Sequence, residues 1–291
     1  MNEGYGAQSM TAPLRRVLMR RPGEAIAIAD PTRWHYTSTI DVEAARSTHD
    51  AFAAALRAWD VEVLYHDESL PEHADSVFVF DPALVTDRGT LLLSMGKQLR
   101  RGEEEPLARA LQSCGVPVYG RLGGAARCEG GDTMWLDHDT IAVGRGFRTN
   151  AEGVRQLRAL LTPLGVTVLD YDLPYFTGPE ACLHLLSLIS PVDVDLAVAF
   201  PPLMPTAFWD ELTRRGVRLL EVPKEEFVGT QATNVLCVAP RRLVMLAGSP
   251  VTQGLLEAEG CEVVTIPGEP LSFKAEGGPT CLTRPVWREA G

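Results

Sequence analysis

The sequence predicts an α/β ring built from five repeats of strand, strand, helix and strand. Three observations carry this reading. Short β-rich runs begin at Val61, Val116, Val166, Val217 and Cys261, about 50 residues apart. A helical run ends just before each, and the junction holds Gly115, Gly165, Gly216, Gly260 or, in the first unit, Asp60. A left-handed helix C-cap needs such residues. Two further β-type runs precede each helix. A fixed period of this size marks a repeat architecture, and closing five units on themselves leaves few open sheet edges. A doubly wound sheet is the competing arrangement. It needs only one strand before each helix, and the sequence has no G-x-G-x-x-G fingerprint.

The elements follow in order. LRRVLMRR is a strand of the first unit, whose partner is not evident, and VEVLYH closes that unit. SVFVF and TLLL read as strands before the second helix, which ends at VPVYG. TMWL and TIAVG flank Asp137, His138 and Asp139, a hairpin signal. The third helix carries Val154, Leu157, Leu160 and Leu161 on one face. LHLLSLI and DLAVAF precede the fourth helix. NVLCVA and LVMLAG precede a short fifth helix marked by Leu255, Leu256 and Ala258. One catalytic domain is expected over residues 13–291, with residues 1–12 a flexible tail.

Composition narrows the function. The chain has 291 residues, 45% hydrophobic and 22% charged, an ordinary globular balance. Asp plus Glu (38) exceeds Lys plus Arg (27), for a net charge of −11. Such a chain disfavours nucleic acid and favours a cationic small molecule. The most apolar stretch, Leu183 to Phe200, is broken by Pro191, Asp193 and Asp195, too short for a membrane span. MNEGYGAQSM lacks a signal pattern, so a cytoplasmic protein with reduced thiols is expected. The six cysteines contain no C-x-x-C, and neither a metal nor a cofactor is expected.

Four clusters carry candidate chemistry. In His73-Ala-Asp75-Ser-Val-Phe-Val-Phe80-Asp81-Pro82, two aspartates bracket a strand; they either form turns or face a ligand. In Cys128-Glu129-Gly130-Gly131-Asp132, a double glycine separates two acids, which suits a close ligand approach or a flexible hairpin. His184 stands alone in an apolar strand, as a core residue or as a general acid/base. In Glu276-Gly277-Gly278-Pro279-Thr280-Cys281, a Gly-rich turn delivers one cysteine, either structural or nucleophilic. Together these are one thiol, one imidazole and several carboxylates on different repeats. That set suits attack on a guanidinium carbon, because carboxylates must hold the buried cation and a thiolate can attack it.

DSVFVFDPALV, LRRGE, EGGD, VGRGFRTN, the segment around His184 and GGPTCLT recur in order along the chain. On these segments the chain resembles, from Leu14 to Trp287, the guanidino-group-modifying (pentein) superfamily of five-bladed α/β-propellers, ββαβ repeats around a pseudo-five-fold axis. Within it the resemblance is to dimethylargininases, and GGPTCLTRP is also similar to the cysteine segment of arginine deiminases. The resemblance implies a cofactor-free hydrolase with Cys281 as nucleophile, His184 as acid/base and Glu129 as its orienting acid. It implies Asp75, Phe80 and Asp81 as substrate contacts, and Arg100 and Arg148 as holders of the substrate carboxylate. Phe80 departs from the pattern, since dimethylargininases usually carry an acid there. An amidinotransferase with the same three residues and a non-catalytic propeller are the competing functions. The expected partner is a small guanidino substrate and, at most, a second copy of the chain.

Overall fold

The structure is a computed structural model, and it describes residues 4–289. It contains five sheets of three strands each. The strands are β1 (Leu14–Met19), β2 (Glu62–Tyr65), β3 (Ala83–Thr86), β4 (Gly89–Leu92), β5 (Val118–Arg121), β6 (Thr133–Asp137), β7 (Thr140–Arg145), β8 (Thr167–Asp172), β9 (Ile189–Asp193), β10 (Leu196–Ala199), β11 (Arg218–Glu221), β12 (Leu236–Ala239), β13 (Arg242–Leu246), β14 (Glu262–Ile266) and β15 (Arg284–Arg288). In every sheet the central strand pairs antiparallel with one neighbour and parallel with the other. A helix makes each parallel crossover: Val42–Ala58, Glu104–Ser113, Ala151–Leu161, Thr206–Arg214 and Pro250–Ala258. This is the five-bladed α/β-propeller of ββαβ units that the repeat period predicts.

The helix ends follow the sequence closely. Asp60, Gly115, Gly165, Gly216 and Gly260 all adopt positive φ, between 59° and 87°. That conformation turns each chain from helix into the third strand. Apolar side chains at helical spacing then face the sheets: Phe52 and Leu56, Leu107 and Leu111, Val154, Leu157 and Leu161, and Phe208 and Leu212 are all buried. Asp41 and Asn150 cap two of these helices by accepting backbone N–H bonds.

Four expectations change. The partner of β1 is β15, so the last strand completes the first blade and closes the ring; sequence adjacency could not show a pairing across the whole chain. SVFVF is not a strand: Ala74–Val77 forms a 3-10 turn, and the strand is Ala83–Thr86. Its residues are apolar because Val77 to Phe80 are buried on the way through the core. His184 likewise precedes a 3-10 turn, Leu185–Ser187, and the strand starts at Ile189. Residues 6–12 are not a free tail: Gly6 bonds to Val286, Ala7 to Val85, and Thr11 is buried. Residues 1–3 of that expected tail lie outside the described residues.

Candidate active site

Each blade presents one polar residue just upstream of its first strand. These are Asp81 before β3, Glu129 before β6, His184 before β9, Asn234 before β12 and Cys281 before β15. Repeat symmetry therefore brings one residue from each unit toward the axis. Four of the five (Asp81, His184, Asn234 and Cys281) line a cavity of about 290 Å³, together with Asp75, Phe80, Arg100 and Arg148. Glu129 lies directly behind His184, with none of its surface exposed.

The Glu129–His184 pair is buried and held by several hydrogen bonds. Nε2 of His184 and Oε2 of Glu129 are 2.7 Å apart. Arg148 Nη1 donates to the same oxygen at 3.0 Å, and the Lys97 backbone N–H donates to the other at 2.8 Å. Burial would raise the Glu129 pKa, but the charges of Arg148 and His184 hold it far below the usual range. Burial would neutralise His184, yet the Cys182 sulfur, Asp132 and Glu129 raise its pKa well above the ordinary value. The imidazole is thus a resting acid. Cys182 Sγ lies 3.9 Å from its Nδ1. Asp132, pushed up to about 6 chiefly by burial, accepts from Thr149 Oγ1 at 2.6 Å and from the Leu185 N–H at 3.1 Å. Those bonds fix the turn that carries His184.

The double glycines prove to be packing requirements. A Cβ at Gly131 would lie 2.4 Å from His184 Nδ1, and one at Gly130 would lie 2.3 Å from the Phe80 carbonyl. Gly131 instead donates its N–H to Asp81 Oδ1 at 2.9 Å. At the cysteine turn, a Cβ on Gly278 would strike the Asn234 amide at 2.6 Å. Asn234 Nδ2 donates to Cys281 Sγ at 3.3 Å, and its Oδ1 accepts from the Thr280 N–H at 3.1 Å. Burial first, then Asp81, pushes the Cys281 thiol up to about 11. Cys281 therefore rests as a thiol, and a cation bound beside it would favour its ionisation.

Asp81 and Arg100 form a buried pair at 2.5 Å. Four of the five Arg100 N–H groups are already engaged. Its Nε and Nη2 donate to Glu103, and Nη2 also donates to the Phe78 carbonyl. Its Nη1 bond holds Asp81 in place at the wall of the cavity that Arg100 also lines. Arg148 lies at the cavity with one nitrogen on Glu129. Asp75 accepts from Tyr36 Oη and from Lys97 Nζ, both at 2.6 Å. The Phe80 ring lines the cavity, and the Arg284 guanidinium stacks 4.0 Å over it. Asp81, Glu129 and His184 bring ligand atoms within 4.8 Å of one another, a spacing that could hold a cation. Arg100, Arg148, the Lys97 N–H and the Gly131 N–H already engage those oxygens. The remaining lone pairs suit a flat, N–H-rich cation.

Asn234, Lys97, Glu103 and Thr149 escaped sequence reading as site residues. Only Asn234 left a signal, its place before the first strand of the fifth repeat.

Comparison with known proteins agrees with this geometry. Residues 31–286 match the family model described as N,N dimethylarginine dimethylhydrolase, eukaryotic. The chain is 32% identical over 274 residues to the N(G),N(G)-dimethylarginine dimethylaminohydrolase of Streptomyces coelicolor, covering 93% of this chain and 96% of that one. It is 28% identical to the enzyme of that name from Pseudomonas aeruginosa, covering 92% and 98%. A structure of the Pseudomonas aeruginosa protein, a Cys-to-Ser mutant complexed with citrulline, superposes with a TM-score of 0.78 at 26% identity, covering 94% of this chain and 99% of that one. An amidinotransferase from Microseira wollei shares the fold, with a TM-score of 0.78 at 15% identity, covering 99% and 98%.

Proposed function

The chain belongs to the dimethylarginine dimethylaminohydrolase family, and from that premise we propose that it hydrolyses the guanidino group of arginine or an N-substituted arginine, giving citrulline and an amine or ammonia. The observation that carries the proposal is the convergence of the Cys281 thiol and the Glu129-paired His184 on one cavity beside Asp81.

In this reading the guanidinium N–H groups donate to Asp81. The bound positive charge lowers the cost of ionising Cys281, which otherwise rests as a thiol and here gives its proton to solvent, to be regained when citrulline leaves. The sulfur attacks the central carbon and a C–S bond forms. His184 gives its proton to the departing nitrogen, the C–N bond breaks and the amine leaves. The neutral imidazole then takes a proton from water, whose oxygen attacks the same carbon. The C–S bond breaks, and citrulline leaves with the sulfur restored. Glu129 stabilises the imidazolium that this cycle needs twice. Cys281, His184 and Glu129 act as catalytic machinery; Asp81, Asp75, Phe80 and Arg148 surround the substrate. A non-catalytic propeller would have no use for a thiol and a charged imidazole at one cavity.

The test is incubation with arginine, monomethylarginine and dimethylarginine, reading citrulline and released amine together. Equal amounts of both from at least one substrate support hydrolysis. Loss of substrate without citrulline, with the amidino group on an added amine, would instead show transfer.

A further inference from the structure

Behind the reaction cavity lies a second, smaller one of about 20 Å³, lined by Phe80, Trp135, Cys237, Arg284 and Arg288 among others. It has room for one water-sized occupant. Arg284 and Arg288 come from β15 and are 3% and 6% exposed. Their hydrogen bonds go to neutral backbone carbonyls. Arg284 Nη1 donates to Phe80 at 2.9 Å and Ala83 at 2.6 Å, while Arg288 donates to Ala12 at 2.5 Å and Cys237 at 2.8 Å. The Nε atoms of both, though buried, have no partner among the described residues.

Two buried cations without a counter-charge are costly. Burial depresses both, Arg284 to about 9 and Arg288 to about 10. Asp81 is the acid that Arg284 feels, but Arg100 already holds it. The other charged or titratable groups facing these arginines are each other and the Cys237 thiol, which burial keeps neutral by raising its pKa to about 12.

We propose that this axial cavity binds one small monovalent anion of the halide class, held by the guanidiniums of Arg284 and Arg288. The volume excludes phosphate or carboxylate ligands, and the site is distinct from the reaction cavity, with Phe80 and Thr280 lining both. A bound halide would supply the missing counter-charge and stabilise the closure of the ring, because both arginines stand on the strand that closes it.

The experiment has two readouts on the native chain. Crystals grown or soaked in sodium bromide are measured at the bromine edge. Thermal midpoints are titrated with sodium chloride or bromide against sodium gluconate at constant ionic strength. The proposal expects one anomalous peak within the cavity, and a saturable rise in midpoint of about 2–4 °C at roughly tenfold the dissociation constant, absent with gluconate. Arg288→Met should abolish the halide effect; if that variant does not fold, the native crystal decides. A cavity without anomalous density, or equal responses to halide and gluconate, would overturn the proposal.

Discussion

The side-chain amide of Asn234 is clamped between the Cys281 sulfur and the turn that carries it: Nδ2 donates to Cys281 Sγ at 3.3 Å while Oδ1 accepts from the Thr280 N–H at 3.1 Å. The backbone N–H can only donate, so it fixes which end of the amide faces the sulfur. Asn234→Ala should therefore make the thiolate harder to form, raise the Cys281 pKa above its level of about 11, and lower kcat/KM by about 10–100-fold, the worth of a hydrogen bond to a charged group. Asn234→Asp should be worse, since it sets a carboxylate against the sulfur. The pH dependence of Cys281 alkylation by iodoacetamide checks this. An unchanged profile in both variants would make Asn234 a packing residue only.

Arg100 gives the second prediction. As the residue that positions Asp81, its replacement by Lys should reduce kcat/KM equally for arginine and for a guanidino amine of the same length lacking the carboxylate. If Arg100 gripped the carboxylate, only arginine would suffer. The variant should also lose stability by about 3–5 kcal/mol, because Asp81 and Glu103 would keep buried charges with fewer partners. Urea denaturation measures that loss.

How much of this was legible from the sequence depended on whether the cause was local. Helix ends at Gly115, Gly165, Gly216 and Gly260 follow from backbone sterics at one residue, and they appear where expected. The β1–β15 pairing joins the two ends of the chain and leaves no local trace. SVFVF misleads because burial on all sides mimics a strand. At the site, Cys281, Glu129 and Asp81 were visible as reactive types beside glycines or prolines and His184 as a lone imidazole in an apolar run, whereas Asn234 and Lys97 are ordinary polar residues until folding places their amide and ammonium. Arg100 shows the converse, a residue whose position was found but whose bonds to Asp81, Glu103 and Phe78 only folding reveals.

Phe80 carries the third prediction. The sequence alone suggests that a glutamate here would face the substrate and draw selectivity toward free arginine. The Arg284 guanidinium, 4.0 Å over the ring, would capture that carboxylate instead. Phe80→Glu should therefore change the kcat/KM ratio between arginine and dimethylarginine by less than about threefold, whereas the roughly 1.4 kcal/mol of a direct contact would give tenfold. A tenfold shift toward arginine would show that the new charge reaches the substrate.

Acid should destabilise the fold through two buried histidines. Burial depresses His49 and His66 to about 4 each, while the unfolded chain titrates near pH 6.5. Between those values the unfolded state binds more protons, so their contribution to stability is present above about pH 6.5 and is lost as the pH falls toward 4. The loss is on the order of 3 kcal/mol per histidine over that whole range. His49→Leu should flatten the drop in urea midpoint between pH 7.5 and 5; an unaltered drop would assign it to other groups.

The central claim is a covalent intermediate on Cys281, and peptide mass mapping of an acid-quenched His184→Ala reaction with an S-alkyl thiocitrulline tests it most directly. Its thiolate leaving group departs without a proton from His184, while the base that activates water is gone, so the amidino adduct should accumulate. It should be found on the peptide carrying Cys281 and absent from the one carrying Cys182, the other thiol at the cavity. Cys281→Ser should give no adduct and should lower turnover of the native chain by orders of magnitude. Citrulline formation by Cys281→Ser at a near-native rate, or an adduct on Cys182 alone, would contradict the account.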